Sequence, residues 1–136
     1  MTDTPGHGSF ILEDLAPFDW RTPQNDNLWQ GVNGANNPCP PGFRLPTEAE
    51  FKTERISWGD DGTNTAAFAS PLKLVTAGSR NRDNGEIRHT GSGGYYWCST
   101  EEGTQSSIFY FTTISDNINF GGTNRANGAS VRCIQD

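Results

Sequence analysis

The chain reads as an α+β domain of short, twisted antiparallel strands, one or two helices and long ordered loops. Three observations carry this. Residues 93–100 run Gly-Gly-Tyr-Tyr-Trp-Cys-Ser-Thr. Aromatics suit a pleated, half-buried surface and paired glycines allow tight turns, so residues 95–98 are expected to form the central strand. Thr47 with Glu50 three residues on makes a capping box, which starts a helix. Finally, Gly 16, Pro 8 and many Asn punctuate the remainder into turns and loops.

In chain order, residues 1–8 are read as a flexible lead-in and 9–136 as a single domain, the default for this length. Residues 9–12 are a short apolar run, an expected edge strand. Trp20 and Trp29 flank a polar, Pro-containing turn, which suggests a loop pinned by two aromatic anchors. Residues 32–41 are turn-rich. Leu45 precedes proline and is therefore extended. The helix is expected over residues 48–57, stopping at Gly59, with Ala49, Phe51, Ile56 and Trp58 inside; Phe51 and Trp58, seven apart, share a face. Glu48 and Glu50 lie where the helix dipole favours negative charge, and are read as capping residues rather than acid–base catalysts. Residues 60–64 form a loop with a faint likeness to a calcium loop but without its acidic spacing. Residues 66–69 suggest a short helical turn and residues 72–75 a strand. Asn84-Gly85 marks a hairpin with Ile87 returning. Residues 108–111 form a strand, Ile114, Ile118 and Phe120 another, residues 121–124 a turn, and residues 129–134 the last strand. Along the strands Tyr95, Trp97, Phe109 and Phe111 are expected to supply core contacts.

The hydrophobic share is 32%, yet Trp 4, Phe 8 and Tyr 3 make a sparse aromatic core feasible, since each ring buries a large area. A net charge of −6 argues against nucleic-acid binding, which concentrates Lys and Arg. No apolar run reaches membrane-spanning length, so membrane insertion is not expected. The N-terminus lacks the basic and apolar regions of a signal peptide. Either the domain was cut from a longer protein or its export follows another route, such as assembly into a virus particle.

Cys39, Cys98 and Cys133 fit no zinc spacing. A Cys39–Cys133 bridge with Cys98 free would close a loop of about 94 residues, stabilising by ~4–5 kcal/mol in the chain-entropy model. The alternative is three buried thiols in a reducing compartment.

Catalysis finds little support. A nucleophilic triad needs a base within reach of a nucleophile, and His7 and His89 have no partner motif. Cys98 follows Trp97 inside an apolar strand. Residues 91–94 lack the strand-to-helix context of a phosphate loop. What remains is a polar, aromatic loop surface, whose Tyr, Ser, Gly and Asn are also the vocabulary of binding loops. The same residues serve equally as ordinary turns. The candidate ligand-binding residues are Asn81, Arg82, Asp83, Glu86, Arg88, His89, Tyr96, Asn117, Asn119 and Asn124. No cofactor or metal is expected.

Residues 39–51 (Cys-Pro-Pro-Gly-Phe-Arg-Leu-Pro-Thr-Glu-Ala-Glu-Phe), 78–80, 94–100 and 130–133, in that order, resemble the Fibrobacter succinogenes major paralogous domain. That domain is similar to the C-type lectin-like variable proteins of diversity-generating retroelements, which include phage receptor-binding tips and bacterial surface proteins. The resemblance implies a C-type lectin-like fold with loops presented on one face. It implies a non-enzymatic binding module on a virion or extracellular surface, part of a larger protein, whose partner is a host-surface protein or glycan. Residues 77–133 would be the segment open to diversification. Cys98 departs from the serine expected in relatives, which a mutable position explains. Residues 44–50 alone also resemble formylglycine-generating enzymes, but those need a reactive cysteine pair, and Cys133 has no near neighbour. Calcium-dependent sugar-binding lectins share the general fold, but their paired carbonyl-and-carboxylate motifs are missing; Asp116 and Asn117 are a weak substitute.

Overall fold

The computed structural model describes Asp3 and residues 5–59, 63–114 and 118–136. β1 (Phe43–Arg44) leads into the helix α1 (Glu48–Ile56). The capping box is complete: Glu50 N–H donates to the Thr47 hydroxyl at 3.2 Å and Thr47 N–H to the Glu50 carboxylate at 2.8 Å. Gly59 ends the turn after the helix at φ +69°, a conformation glycine adopts without strain. Phe51 is buried and Trp58 half-buried, as their shared face requires. Ala49 and Ile56 are exposed, contrary to expectation. They lie about 200° and about 140° round the helix from Phe51, whose face continues instead through Glu54 and Trp58; the Trp58 indole N–H donates to Glu54 at 3.1 Å.

Arg44 grips Glu50 bidentately, Nη1 to Oε2 at 2.8 Å and Nη2 to Oε1 at 2.7 Å, and donates from Nε to Asp136 at 2.7 Å. The Arg44 guanidinium, and after it the Thr47 N–H, hold the Glu50 carboxyl at about 2 against a burial that pushes it up. A folded value below the ordinary 4.5 means that the pair's stabilisation is fully present above that pH and is lost as pH falls towards 2. The Glu50 side chain is 39% exposed, so solvent screening limits the effect to about 1 kcal/mol or less. Glu50→Gln should therefore lower stability slightly at neutral pH and flatten its acid dependence between those limits. Urea melts across that range check this, and an unchanged acid slope would refute it.

After α2 (Asn64–Ala69) the chain forms a small hairpin, β2 (Ser79–Arg80) with β3 (Ile87–Arg88), and then the main antiparallel sheet, β4 (Gly93–Glu102), β5 (Gln105–Thr112) and β6 (Ile118–Asn124). β7 (Ile134–Gln135) pairs with β1. β5, not the aromatic β4, is therefore the middle strand. The outer edge of β4 is covered by three separate segments. Gly78 N–H donates to Gly93 O at 2.8 Å, Trp97 N–H to Ser130 O at 3.0 Å, and Ser99 N–H to Pro46 O at 2.8 Å. This satisfies the edge amides without a fourth long strand, which a bare edge could not do.

Residues 72–75 form no strand. Lys73 has φ +51°, and the Val75 backbone is bonded by the Tyr96 hydroxyl instead, which accepts from Val75 N–H at 2.7 Å and donates to its carbonyl at 2.9 Å. Residues 9–12 form no strand either; the nearest backbone bond runs from Glu13 N–H to Arg82 O at 3.0 Å. Ile114 is exposed and lies outside any strand. The expected turn at residues 121–124 is the end of β6. Gly122 lies in this strand opposite Ser107, with the flexible ends of Gln105 and Glu102 beside it. Of the expected last strand, residues 129–134, Ser130 makes an isolated bridge and Ile134 belongs to β7.

The core lies between the sheet and the helices. Phe109, fully buried, stacks on Phe51 at 5.0 Å and touches Phe120 at 4.9 Å. Tyr96, Cys98, Phe111, Ala67 and Leu74 complete the cluster. The pairing of Tyr96 with Phe109 and of Trp97 with Ile108 separates the expected aromatic set. Side chains alternate along a strand, so Phe109 and Phe111 face the helices, whereas Tyr95 and Trp97 face the opposite side. Trp97 is still buried, its ring 6.3 Å from Trp29 at 72°. Trp29 thus supplies one of the two aromatic anchors expected of the Trp20–Trp29 loop.

Cys39 and Cys133 are disulfide-bonded and Cys98 is a buried free thiol. The bridge fits an oxidising compartment. Among the described residues, no helix is long and apolar enough to cross a membrane.

Candidate functional site

The sheet face opposite the helices carries Tyr95 and Trp97 from β4, Ile108 and Tyr110 from β5, and Asn119, Gly121 and Thr123 from β6, as the register requires. The loops divide it. Over Trp97 lies the loop of Leu28, Trp29 and Gln30, with the Gln30 amide donating to Ser99 O at 2.6 Å. Over Tyr95 and Ile108, the β2–β3 hairpin and residues 127–128 enclose a cleft of about 310 Å³.

Five of the expected binding residues, Asn81, Arg82, Asp83, Arg88 and His89, line this cleft together. Their roles differ. Asn81 shapes the hairpin: its amide oxygen accepts from Asp83 N–H at 2.9 Å and its carbonyl from Gly85 N–H at 2.9 Å. Gly85 sits at φ +73°, as the Asn-Gly signal requires. Arg82 is a tether. Its guanidinium lies 3.9 Å from the Phe18 ring centroid, donates to Glu13 O at 3.1 Å and pairs with Asp83. Arg88 is half exposed, and Glu86 comes no closer than 3.8 Å. His89 is exposed at φ +61°, with its ring 5.7 Å from that of Tyr95.

The remaining expected residues lie elsewhere. Glu86 is exposed beside Arg88, outside the cleft lining. Asn119 is exposed on the cleft side of β6, opposite Tyr110. Asn124 pairs with Gln105 across the sheet and accepts from its amide at 3.5 Å, which places it on the helix face, away from the cleft. Tyr96 is a correction: it is buried, and its hydroxyl is occupied by Val75. Asn117 and Asp116 lie outside the described residues.

Sequence reasoning missed Arg80, Tyr95, Ile108, Thr123 and Asn127 as lining residues. Arg80, two positions before Arg82, carried a local signal. Asn127 carried none: it reaches the hairpin from across the fold, accepting from Arg82 N–H at 3.3 Å and donating to Thr123 Oγ1 at 2.9 Å. Burial, and then the neighbouring Tyr110, push the Tyr95 phenol up, so it stands protonated over the cleft as a donor.

Cys98 lies in the core, and burial pushes its thiol up to about 12, unfavourable for a nucleophile. Cys133 is occupied by its bridge to Cys39. Among the described residues, no group of three or more His, Cys, Asp or Glu is placed to hold a metal ion. The chain matches no family model, and no curated protein or solved structure is similar to it at a significant level.

Proposed function

We propose that this domain is a non-enzymatic ligand- or receptor-binding module of C-type lectin-like type. It is displayed on a phage tail or cell surface as part of a larger protein, with residues 77–133 open to diversification. Its partner is a host-surface protein or glycan. The observation that carries the reading is the cleft over Tyr95. It sits on a braced sheet, and the exposed side chains of its lining residues Arg88 and His89 are ones the scaffold uses little. Such a division lets binding groups change without loss of the fold. The tied Cys133 and the core position of Cys98 weigh against the oxidase alternative.

The test separates tether from binding groups. Arg88→Ala combined with His89→Asn, where asparagine tolerates the positive φ, should stay within about 1 kcal/mol of the parent in stability while binding to cells of the host falls at least about tenfold. Arg82→Ala should lose about 1–3 kcal/mol, because the ring contact with Phe18 and the bond to Glu13 both go. Thermal melts and cell-binding assays read both. Full cell binding by the double variant, with its melt unchanged, would move the site off this cleft. Tight calcium binding by calorimetric titration would favour a calcium-dependent lectin instead.

A further inference from the structure

We propose that the cleft over Tyr95 takes an anionic saccharide, a sugar unit bearing a carboxylate or a phosphate; this rests on the binding-module reading above. The chain as a whole is acidic, at −6 with Lys+Arg 10. Yet Arg80, Arg82 and Arg88 line this one cleft, against Asp83 in the lining and Glu86 beside Arg88. Three positive charges less two leave this region at +1 and the rest of the chain at −7. A depression of one sign in a surface of the other focuses the field and draws in the opposite charge.

The three arginines are not equivalent. Arg80 lies over the Phe10 ring at 5.2 Å and Arg82 over Phe18 at 3.9 Å, so both guanidinium groups are held by the N-terminal segment. Arg88 is 51% exposed, and Glu86 approaches it to 3.8 Å without reaching hydrogen-bond distance. Its planar fork is the one positioned for a bidentate grip on a carboxylate or phosphate. The two held arginines supply field, and Arg88 supplies the contact.

The rest of the site favours a sugar over an acidic peptide. The Tyr95 ring lines the cleft between those of His89 and Tyr110, with centroids 5.7 Å and 6.0 Å away, and offers an aromatic edge to a sugar ring. The Tyr95 phenol is a donor. The Thr123 hydroxyl accepts from Asn127 and keeps its own proton to donate. A volume of about 310 Å³ is at the low end for small-molecule sites. It suits a terminal sugar unit better than a length of peptide.

The full chain is tested by biolayer interferometry against four immobilised probes. These are an oligosaccharide ending in a uronic acid, the same backbone ending in a sugar phosphate, its neutral counterpart, and a polyglutamate peptide. One or both anionic sugars should bind at least about tenfold more tightly than the neutral one, with an affinity that falls as salt is raised; the stronger of the two identifies the anion. Arg88→Ala should lose that preference, and Arg88→Lys should restore only part of it, because an ammonium lacks the fork. Should Arg88→Ala melt early, competition by the free anionic oligosaccharide for host-cell binding by the parent chain takes its place. Equal binding of the neutral sugar, preference for the peptide, or no binding to any probe overturns the inference. Cell binding that is Arg88-dependent but not competed by anionic sugar also overturns it while leaving the binding-module reading intact. Loss of cell binding altogether removes both.

Discussion

Arg125→Ala should destabilise the domain by about 3–5 kcal/mol, the cost of removing one partner from a buried ion pair. Arg125 is 9% exposed and Asp19 3%, with Nη1 of the first 3.7 Å from Oδ2 of the second. That Asp19 oxygen has no hydrogen-bond partner among the described residues, so the guanidinium is its main charge compensation. Arg125 also pairs with Asp26 at 2.6 Å and donates to Gly103 O at 3.0 Å and to Gln105 O at 3.2 Å. One side chain thus ties the loop of residues 19–26 to the β4–β5 turn, under Trp29 and Trp97. Arg125→Lys should recover little, because a single ammonium cannot reach two carboxylates and two carbonyls together. Asp19→Asn in the Arg125→Ala background should restore part of the loss, because it removes the stranded charge. Urea unfolding of the parent and the three variants reads this. A loss below about 1 kcal/mol for Arg125→Ala would mean that the cluster behaves as a surface pair.

Opening the Cys39–Cys133 bridge should cost about 2–5 kcal/mol. It closes a separation of 94 residues, so reduction releases a large loop in the unfolded chain. A domain of this kind has ~5–15 kcal/mol to lose. In the fold, the bridge lies beside the two-residue pairing of β1 with β7, which has little ladder of its own. Melting with and without reductant, alongside Cys39→Ala/Cys133→Ala, should show the same large drop. Cys98→Ser is the contrast: its cost should come from packing in the core, and it should leave the effect of reductant unchanged. A Cys98-containing crosslink in the non-reduced digest would refute the pairing.

Local chemistry was legible wherever neighbours in sequence satisfy one another. The Thr47–Glu50 box set the start of α1, and the Asn84-Gly85 signal set the hairpin. Where a segment's partner is distant, the reading failed. Residues 9–12 and 72–75 have strand-like composition, yet their backbones meet side chains and single bonds rather than a ladder. Gly121 and Gly122 read as a turn, but β6 runs through them because they pair with Ile108 and Ser107 of β5. Tyr96 resembled a binding aromatic in its motif and became a core residue through the register with Phe109.

The candidate site divides in the same way. The sequence alone determined that the hairpin around Asn84 carries Asn81, Arg82, Asp83, Arg88 and His89, because turn chemistry holds them within one short segment. It also determined the helix cap and the aromatic character of the core. Only the tertiary structure decided that Arg82 is a tether and Arg88 stays exposed, since Phe18 and Glu13 arrive from a segment more than 60 residues earlier. It alone put Asn124 on the helix face and brought Asn127 and Thr123 to the cleft. The physical reason is that strand pairing gives each residue its face by register, and register is set by distant partners rather than by neighbours in the chain.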